Sequence, residues 1–332
     1  MKFRNSLLVA GVAVVAASGA AQAQCNTYTA DACQKTTDIF NYLTPQISTA
    51  LVGGSATLGQ GGVLGGFPHF SIALRASAVK GSVPKVSSVA FSTTGAKATA
   101  YPGEDQLIPM ASVDGSLGLF KGFPLGVTRL GGIDALMTAT YIPKPSNSSG
   151  DTQIDLPGGS TKLGYGVRVG LLEESILIPG VSFTYIMRDL PTLSVSGNTG
   201  NVAVGGSNTS GSFALNNLAV KTTSWRFSAS KTFLIFGLEG GFGQDKYDNS
   251  AGIDVTVNAA APAGVQHATT TAANTMTRTN IYGGVLINFF IGKLVGEVGQ
   301  VSGGSLPAAL NTFGSSPTAS RTYYSVGIRT GF

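Results

Sequence analysis

The feature that most constrains this chain is a period-two alternation of apolar and polar residues, repeated in ten segments between residues 67 and 332. Successive side chains of a β-strand point to opposite faces, so each segment offers one apolar and one polar surface. The last segment sets Tyr324, Val326, Ile328, Thr330 and Phe332 against Tyr323, Ser325, Gly327, Arg329 and Gly331. Earlier ones repeat the pattern: Phe70, Ile72 and Leu74 against Ser71, Ala73 and Arg75, or Leu163, Tyr165, Val167 and Val169 against Gly164, Gly166, Arg168 and Gly170. Each is close to the ~9–11 residues that a tilted strand needs to cross a bilayer.

The connections are sorted by length. Long ones (81–108, 144–161, 191–218, 248–275, 302–320) alternate with short ones (122–127, 174–180, 231–234, 290–293). A soluble sandwich has no reason for that order, whereas transmembrane barrels pair short turns at one end with long loops at the other. Composition agrees. Only 11% of residues are charged, and no stretch beyond the N-terminal leader approaches the ~18 apolar residues of a membrane helix. The expectation is an all-β transmembrane antiparallel up-and-down barrel of about ten strands, with a short N-terminal helix. The count becomes twelve if a segment such as 87–92 or 253–257 extends a hairpin and crosses with a partner.

The closing strand resembles that of Gram-negative outer-membrane β-barrel proteins, in which a terminal aromatic is read by the barrel-assembly machinery. That resemblance makes Tyr324, Val326, Ile328 and Phe332 the candidate assembly signal. It implies outer-membrane lipid and lipopolysaccharide as surroundings and the assembly machinery as a partner, with both termini on the periplasmic side. Aromatics fit interfacial girdles, Phe70, Phe120, Phe233, Phe289 and Phe290 near the short turns and Tyr141, Tyr282, Tyr324, Phe242 and Trp225 toward the loops. The segment ahead of the barrel is similar in placement to that of long-chain fatty-acid transporters, an architectural likeness that carries no residues over.

The N-terminal region divides in two. Residues 1–23 read as a secretory signal peptide: Lys2 and Arg4, an apolar run from Leu7 to Ala17, then Ala21-Gln22-Ala23. Mature residue one is then Gln24. Residues 24–66 form a periplasmic helix and Gly-rich linker ahead of the barrel at 67–332. Cys25 and Cys33, the two cysteines, suit a disulfide in an oxidising compartment. Ile39, Phe40, Leu43, Ile47 and Leu51 recur at helical spacing, with Pro45 expected to kink or split the helix. The expected placement is under the barrel mouth, the alternative a plug inside the lumen.

Chemistry should lie on the polar faces. These carry Arg75, Arg168, Arg188, Arg226 and Arg329 against Asp114, Asp134, Glu239 and Glu297. Charges in a narrow lumen are costly unless paired, so near-balance predicts mutual pairing, a selectivity ring being the alternative. A turn at Thr232-Phe233 would set Arg226 opposite Glu239. No cofactor, metal site or enzyme motif is expected, and a net charge of +5, dispersed along the chain, gives no reason to expect nucleic acid. Asp245, Asp248 and His267 are the residues that could form a catalytic rim if the loops brought them together. The function expected is limited passive passage of small or apolar solutes, or else a closed scaffold for surface display.

Overall fold

A computed structural model describes residues 25–85, 91–142, 152–199, 202–204, 207–209, 211–259 and 262–331. The leader, Gln24, Phe332 and residues 87–90 fall outside them. Ten antiparallel strands follow one another around a closed ring: β1 (Phe70–Pro84), β2 (Gly103–Phe120), β3 (Ile133–Tyr141), β4 (Thr161–Leu172), β5 (Gly180–Asp189), β6 (Gly211–Phe233), β7 (Phe236–Asn258), β8 (Val265–Phe289), β9 (Gly292–Ser302) and β10 (Arg321–Gly331). β10 returns to β1, with Ser71 opposite Gly331 and Val79 opposite Tyr323. Two more strands, Thr152–Asp155 and Leu193–Asn198, continue the sheet beside the upper part of β6. The sheet therefore holds twelve strands and the barrel ten.

The outer wall is apolar. Leu74, Phe242, Ile281, Val285, Val326 and Ile328 are all more than half exposed, and Tyr324 is nearly so. Phe183, Trp225, Phe227 and Phe242 touch in a chain across three strands, with centroids 5.1–6.4 Å apart. So large an apolar surface is stable only against another apolar phase, the pattern of a bilayer-spanning barrel. Tyr282 does not join an outer girdle. It turns inward, its hydroxyl 2.6 Å from Ser228 Oγ.

Five strands are longer than expected, β1 and β2 at 15 and 18 residues and three others far more so. β6, β7 and β8 run 23, 23 and 25 residues, so much of the stretch read as a loop at 248–275 is a projecting hairpin. Its cause is visible in the alternation: Ile253, Val255 and Val257 are buried inward while Gly252, Asp254 and Thr256 face out.

Helix α1 (Ala30–Val52) lies inside the ring, which corrects the expected position under the mouth. It packs against β1, β2, β5, β6, β7, β8 and β10. A helix with side chains is ~10–12 Å across, and lower down small residues keep the wall thin beside the thread that follows, a Cβ at Gly170 meeting Val63. Pro45 neither ends nor splits the helix. The chain then threads through 53–66 to the short-turn end before entering β1. Cys25 consequently lies among the long loops and Gly331 at the opposite end, correcting the expectation that both termini share one side. Cys25 and Cys33 are joined by a disulfide, with Cα atoms 6.4 Å apart.

The lumen is layered. Near the long loops, Phe40, Ala50, Leu51 and Val52 of α1 meet Phe213, Leu215, Val220, Tyr247, Ile253 and Val255 in one apolar core. Nearer the short turns the lumen is mainly polar and charged, with two small apolar clusters around Ala56 and Leu58.

Candidate functional site: the interface between the N-terminal segment and the barrel wall

The upper end of α1 organises the long loops. The Asp31 carboxylate pairs with Lys35 Nζ at 2.7 Å and accepts the N–H groups of Ser92 and Lys97 at 2.6 and 2.8 Å. Asp38 accepts the N–H groups of Leu310 and Asn311. Tyr42 stacks on Phe313, which stacks in turn on Tyr101, at 4.3 and 5.3 Å. Burial, then the charges of Asp31 and Asp38, push the Tyr101 phenol up from its ordinary value. Lower on the helix, Gln46 bonds the backbone of Ser82 twice, at 2.8 and 3.1 Å, taking the place of a strand neighbour.

Below the helix, the charged wall holds the Gly-rich segment by its backbone. All nine sequence-nominated lumen charges are buried on the inner face. Arg226 Nη2 reaches Val52 O at 3.4 Å, Arg75 Nη1 reaches Gly53 O at 3.3 Å and Arg188 Nη2 reaches Ala56 O at 3.5 Å. Arg329 Nη1 donates to Thr57 O and Leu58 O at 3.2 and 3.0 Å, and Arg168 Nη1 to Gln60 O at 3.1 Å. Acidic residues take the donors. Glu297 accepts Ser55 N–H at 3.2 Å and Ser55 Oγ–H at 2.5 Å, while Asp134 accepts Leu64 N–H at 3.1 Å. A segment with few side chains presents both its carbonyls and its N–H groups to the wall, and each arginine carries enough donors to serve an acid and a carbonyl together.

Those same arginines, Arg329 excepted, pair with wall acids. Arg168 donates from Nη2 and Nε to Asp134 Oδ2 at 2.6 and 2.9 Å, and Arg75 Nε lies 3.0 Å from Asp114. Arg188 reaches Asp114 only at 3.9 Å. Arg226 does not meet Glu239. The turn is Leu234-Ile235, so the register moves by four residues, Arg226 sits opposite Gly243, and Ser230 opposite Glu239. Arg226 pairs instead with Asp245 at 2.6 Å. Asp245 is the lumen residue sequence reasoning missed. It shares the odd-numbered face of Glu239, which is the signal that could have found it. Both carboxylate oxygens of Glu239 are buried without a donor among the described residues.

Two glycines are needed where they stand. Gly54 has φ of +91°, and a Cβ there would strike the Glu297 carboxylate. A Cβ at Gly61 would press into the backbone of Ala229 and Ser230.

Asp245, Asp248 and His267 do not converge. His267 Nε2 bonds Asp254 at 2.8 Å on the projecting hairpin, Asp248 pairs with Lys246, and Asp245 is buried in the lumen. Among the described residues no group of three His, Cys, Asp or Glu side chains could hold a metal ion.

A ring of ten strands, an apolar outer wall and a charged inner wall define the architecture. It is a transmembrane β-barrel. No protein-family model matches the sequence, and comparison with curated proteins finds no match. The solved structures it is similar to are outer-membrane barrels. Ail, the attachment invasion locus protein of Yersinia pestis, is 10% identical over 80% of this chain and 98% of its own, with a TM-score of 0.25. A mutant of the monoaromatic hydrocarbon channel TodX is 8% identical over 86% of this chain and 97% of its own, TM-score 0.29. The channel DcaP of Acinetobacter baumannii is 9% identical over 80% and 96%, TM-score 0.18. Nothing about cargo or partner transfers at that level of likeness.

Proposed function

We propose that this chain is an outer-membrane barrel closed at rest by its own N-terminal segment, and that small solutes pass when residues 53–66 leave the arginine wall. The long loops face outward in this reading, with lipopolysaccharide and lipid around the apolar belt and the assembly machinery engaged by the closing strand. The observation that carries it is the contrast between the two halves of the lumen. The upper half of the segment is held by an apolar core. Its lower half packs only in two small apolar clusters, around Ala56 and Leu58, and is otherwise held by hydrogen bonds from Arg75, Arg168, Arg188 and Arg329 to backbone carbonyls. Water can replace such bonds at a net cost of only about 0.5–1.5 kcal/mol each, more where the donor is charged. The lower half is therefore the part that can move while the helix stays.

Ala56 packs with Leu136 and Ile186, which offers a lock. In Ala56→Cys/Ile186→Cys protein, an oxidised staple should abolish solute uptake by proteoliposomes, and reductant should restore it; wild-type protein given the same reductant is the control. Uptake indifferent to the staple would place the route elsewhere. No uptake in any state would favour a second reading, a closed scaffold for display. The observation behind that alternative is the projecting β6–β8 sheet, whose inner face is packed and rigid.

A further inference from the structure

The short-turn end of the lumen contains a cavity of about 530 Å³ between the Gly-rich segment and strands β8 to β1. Register places an unusual row along its wall. Asn288 of β8 lies opposite Lys293 of β9, and Lys293 lies opposite Arg329 of β10. Lys293 and Arg329 therefore stand side by side on one face, and like charges directly opposite in a sheet are destabilising unless something neutralises them. Among the described residues no carboxylate lines the cavity. Glu297 lies four residues up β9 and is taken by Ser55, while Glu174 holds the Thr232 N–H at 2.6 Å. Every hydrogen bond of Arg329 runs through Nη1, which leaves Nε and Nη2 without an acceptor. Lys293 Nζ has none either among the described residues.

The same cavity carries acceptors that lack a donor. Asn288 Nδ2 donates to Leu234 O at 2.9 Å, and its Oδ1 is buried with no partner. His69 Nδ1 lies 2.9 Å from Gly66 O, a carbonyl that can only accept, so the ring Nε2 is left as an acceptor in the neutral tautomer. A carboxylate would satisfy the cations alone. A hydrogen phosphate satisfies both sets, its oxygens accepting from Lys293 and Arg329 and its P–OH donating to Asn288 or His69.

We propose that the Asn288–Lys293–Arg329 row is a binding site for a phosphate-type oxyanion that keeps a P–OH, either free phosphate or the phosphomonoester of a lipid headgroup, as in phosphatidic acid, reached through the short-turn mouth. The row belongs to strands β8 to β10 and is present with residues 53–66 in place, so the site does not depend on their movement.

The test is calorimetric titration of the full chain with inorganic phosphate, in detergent stripped of phospholipid. One saturable site is expected. Lys293→Gln should weaken it roughly tenfold to a hundredfold, the loss of one charge-assisted hydrogen bond. Lys293→Arg should keep it. Heat-modifiability of each variant shows that the barrel has folded, and choline, a cation, should not bind. Repeating the titration in nanodiscs that contain phosphatidic acid, a phosphomonoester lipid, separates the sources. An unchanged isotherm identifies free phosphate. A suppressed one, with phospholipid retained in native mass spectra of wild-type protein and lost from Lys293→Gln, identifies a headgroup. Absence of saturable phosphate binding together with no retained phospholipid would overturn the site, as would equal affinity in wild type and Lys293→Gln.

Discussion

Arg226 and Asp245 face each other at 2.6 Å inside the barrel, and the same guanidinium touches the carbonyl of Val52 where α1 ends. One side chain thus neutralises a wall acid and marks the point at which the helix gives way to the Gly-rich thread. Both partners are almost wholly shielded from solvent.

Asp245→Ala leaves a buried arginine without its counter-ion. Breaking a buried pair from one side costs about 3–5 kcal/mol, whereas removing both charges is far milder. The single variant should unfold at clearly lower temperature or denaturant than Arg226→Ala/Asp245→Ala, read from heat-modifiability on gels. Equal stability of the two would mean that water in the lumen screens the pair.

How far this was legible from sequence depends on the element. Strand parity was readable because lipid and lumen impose opposite chemistry on alternate residues, so Arg75, Asp134, Arg168 and Glu297 could be set on the inner face without a structure. Register was not. The turn between β6 and β7 lies in Phe233-Leu-Ile-Phe236, an unbroken apolar run with no Gly, Asn or Pro to mark it, and Leu234 adopts φ of +52° there. A misplaced turn set Arg226 opposite Glu239 instead of Gly243, four residues out of register and away from Asp245. The helix was recognised by spacing, but spacing does not say what a helix packs against. Polar residues such as Gln46 and Asp38, unremarkable on a solvent-facing helix, gain partners from the barrel around them, Gln46 on β1 and Asp38 on the connection before β10.

Gly61 tests whether the thread is tightly seated. Its N–H donates to Ser230 Oγ at 2.8 Å, and a methyl group would meet the β6 backbone. Gly61→Ala should lift the segment, at an overpacking cost of about 1–3 kcal/mol. Limited proteolysis is expected to cut residues 53–66 faster than in wild type while the barrel stays intact. Wild-type resistance would mean that β6 shifts to accommodate the methyl group.

The Cys25–Cys33 bridge closes a short loop at the start of α1, next to the Asp31 contacts that tie down Ser92 and Lys97. A loop of that length is worth about 2–3 kcal/mol in the chain-entropy picture. Cys25→Ser/Cys33→Ser should therefore raise amide exchange in the first turns of α1 and in residues 91–99. Exchange in β3 to β5, on the far side of the ordered core, should not change. Faster exchange throughout the barrel would show that the bridge supports the whole fold rather than its upper cap.

The last prediction concerns which end of the barrel faces outward. β7 and β8 project together, paired from Asn258 opposite Val265 down to Phe236 opposite Ile287, and their connection spans only residues 259–264. Inward residues of this hairpin, Ile253, Val255, Ala268 and Ala272, are buried against the loop core, so the hairpin is a rigid arm and its tip the exposed part. An epitope inserted between Gly264 and Val265 lies at that tip, clear of the ring. Antibody should label it on intact cells, and the purified barrel should keep its heat-modifiable band. An epitope placed in the β8–β9 turn at Phe290-Ile291 should be reached only after the outer membrane is opened. Labelling in the reverse order would invert the barrel in the membrane and put the phosphate cavity on the outer face.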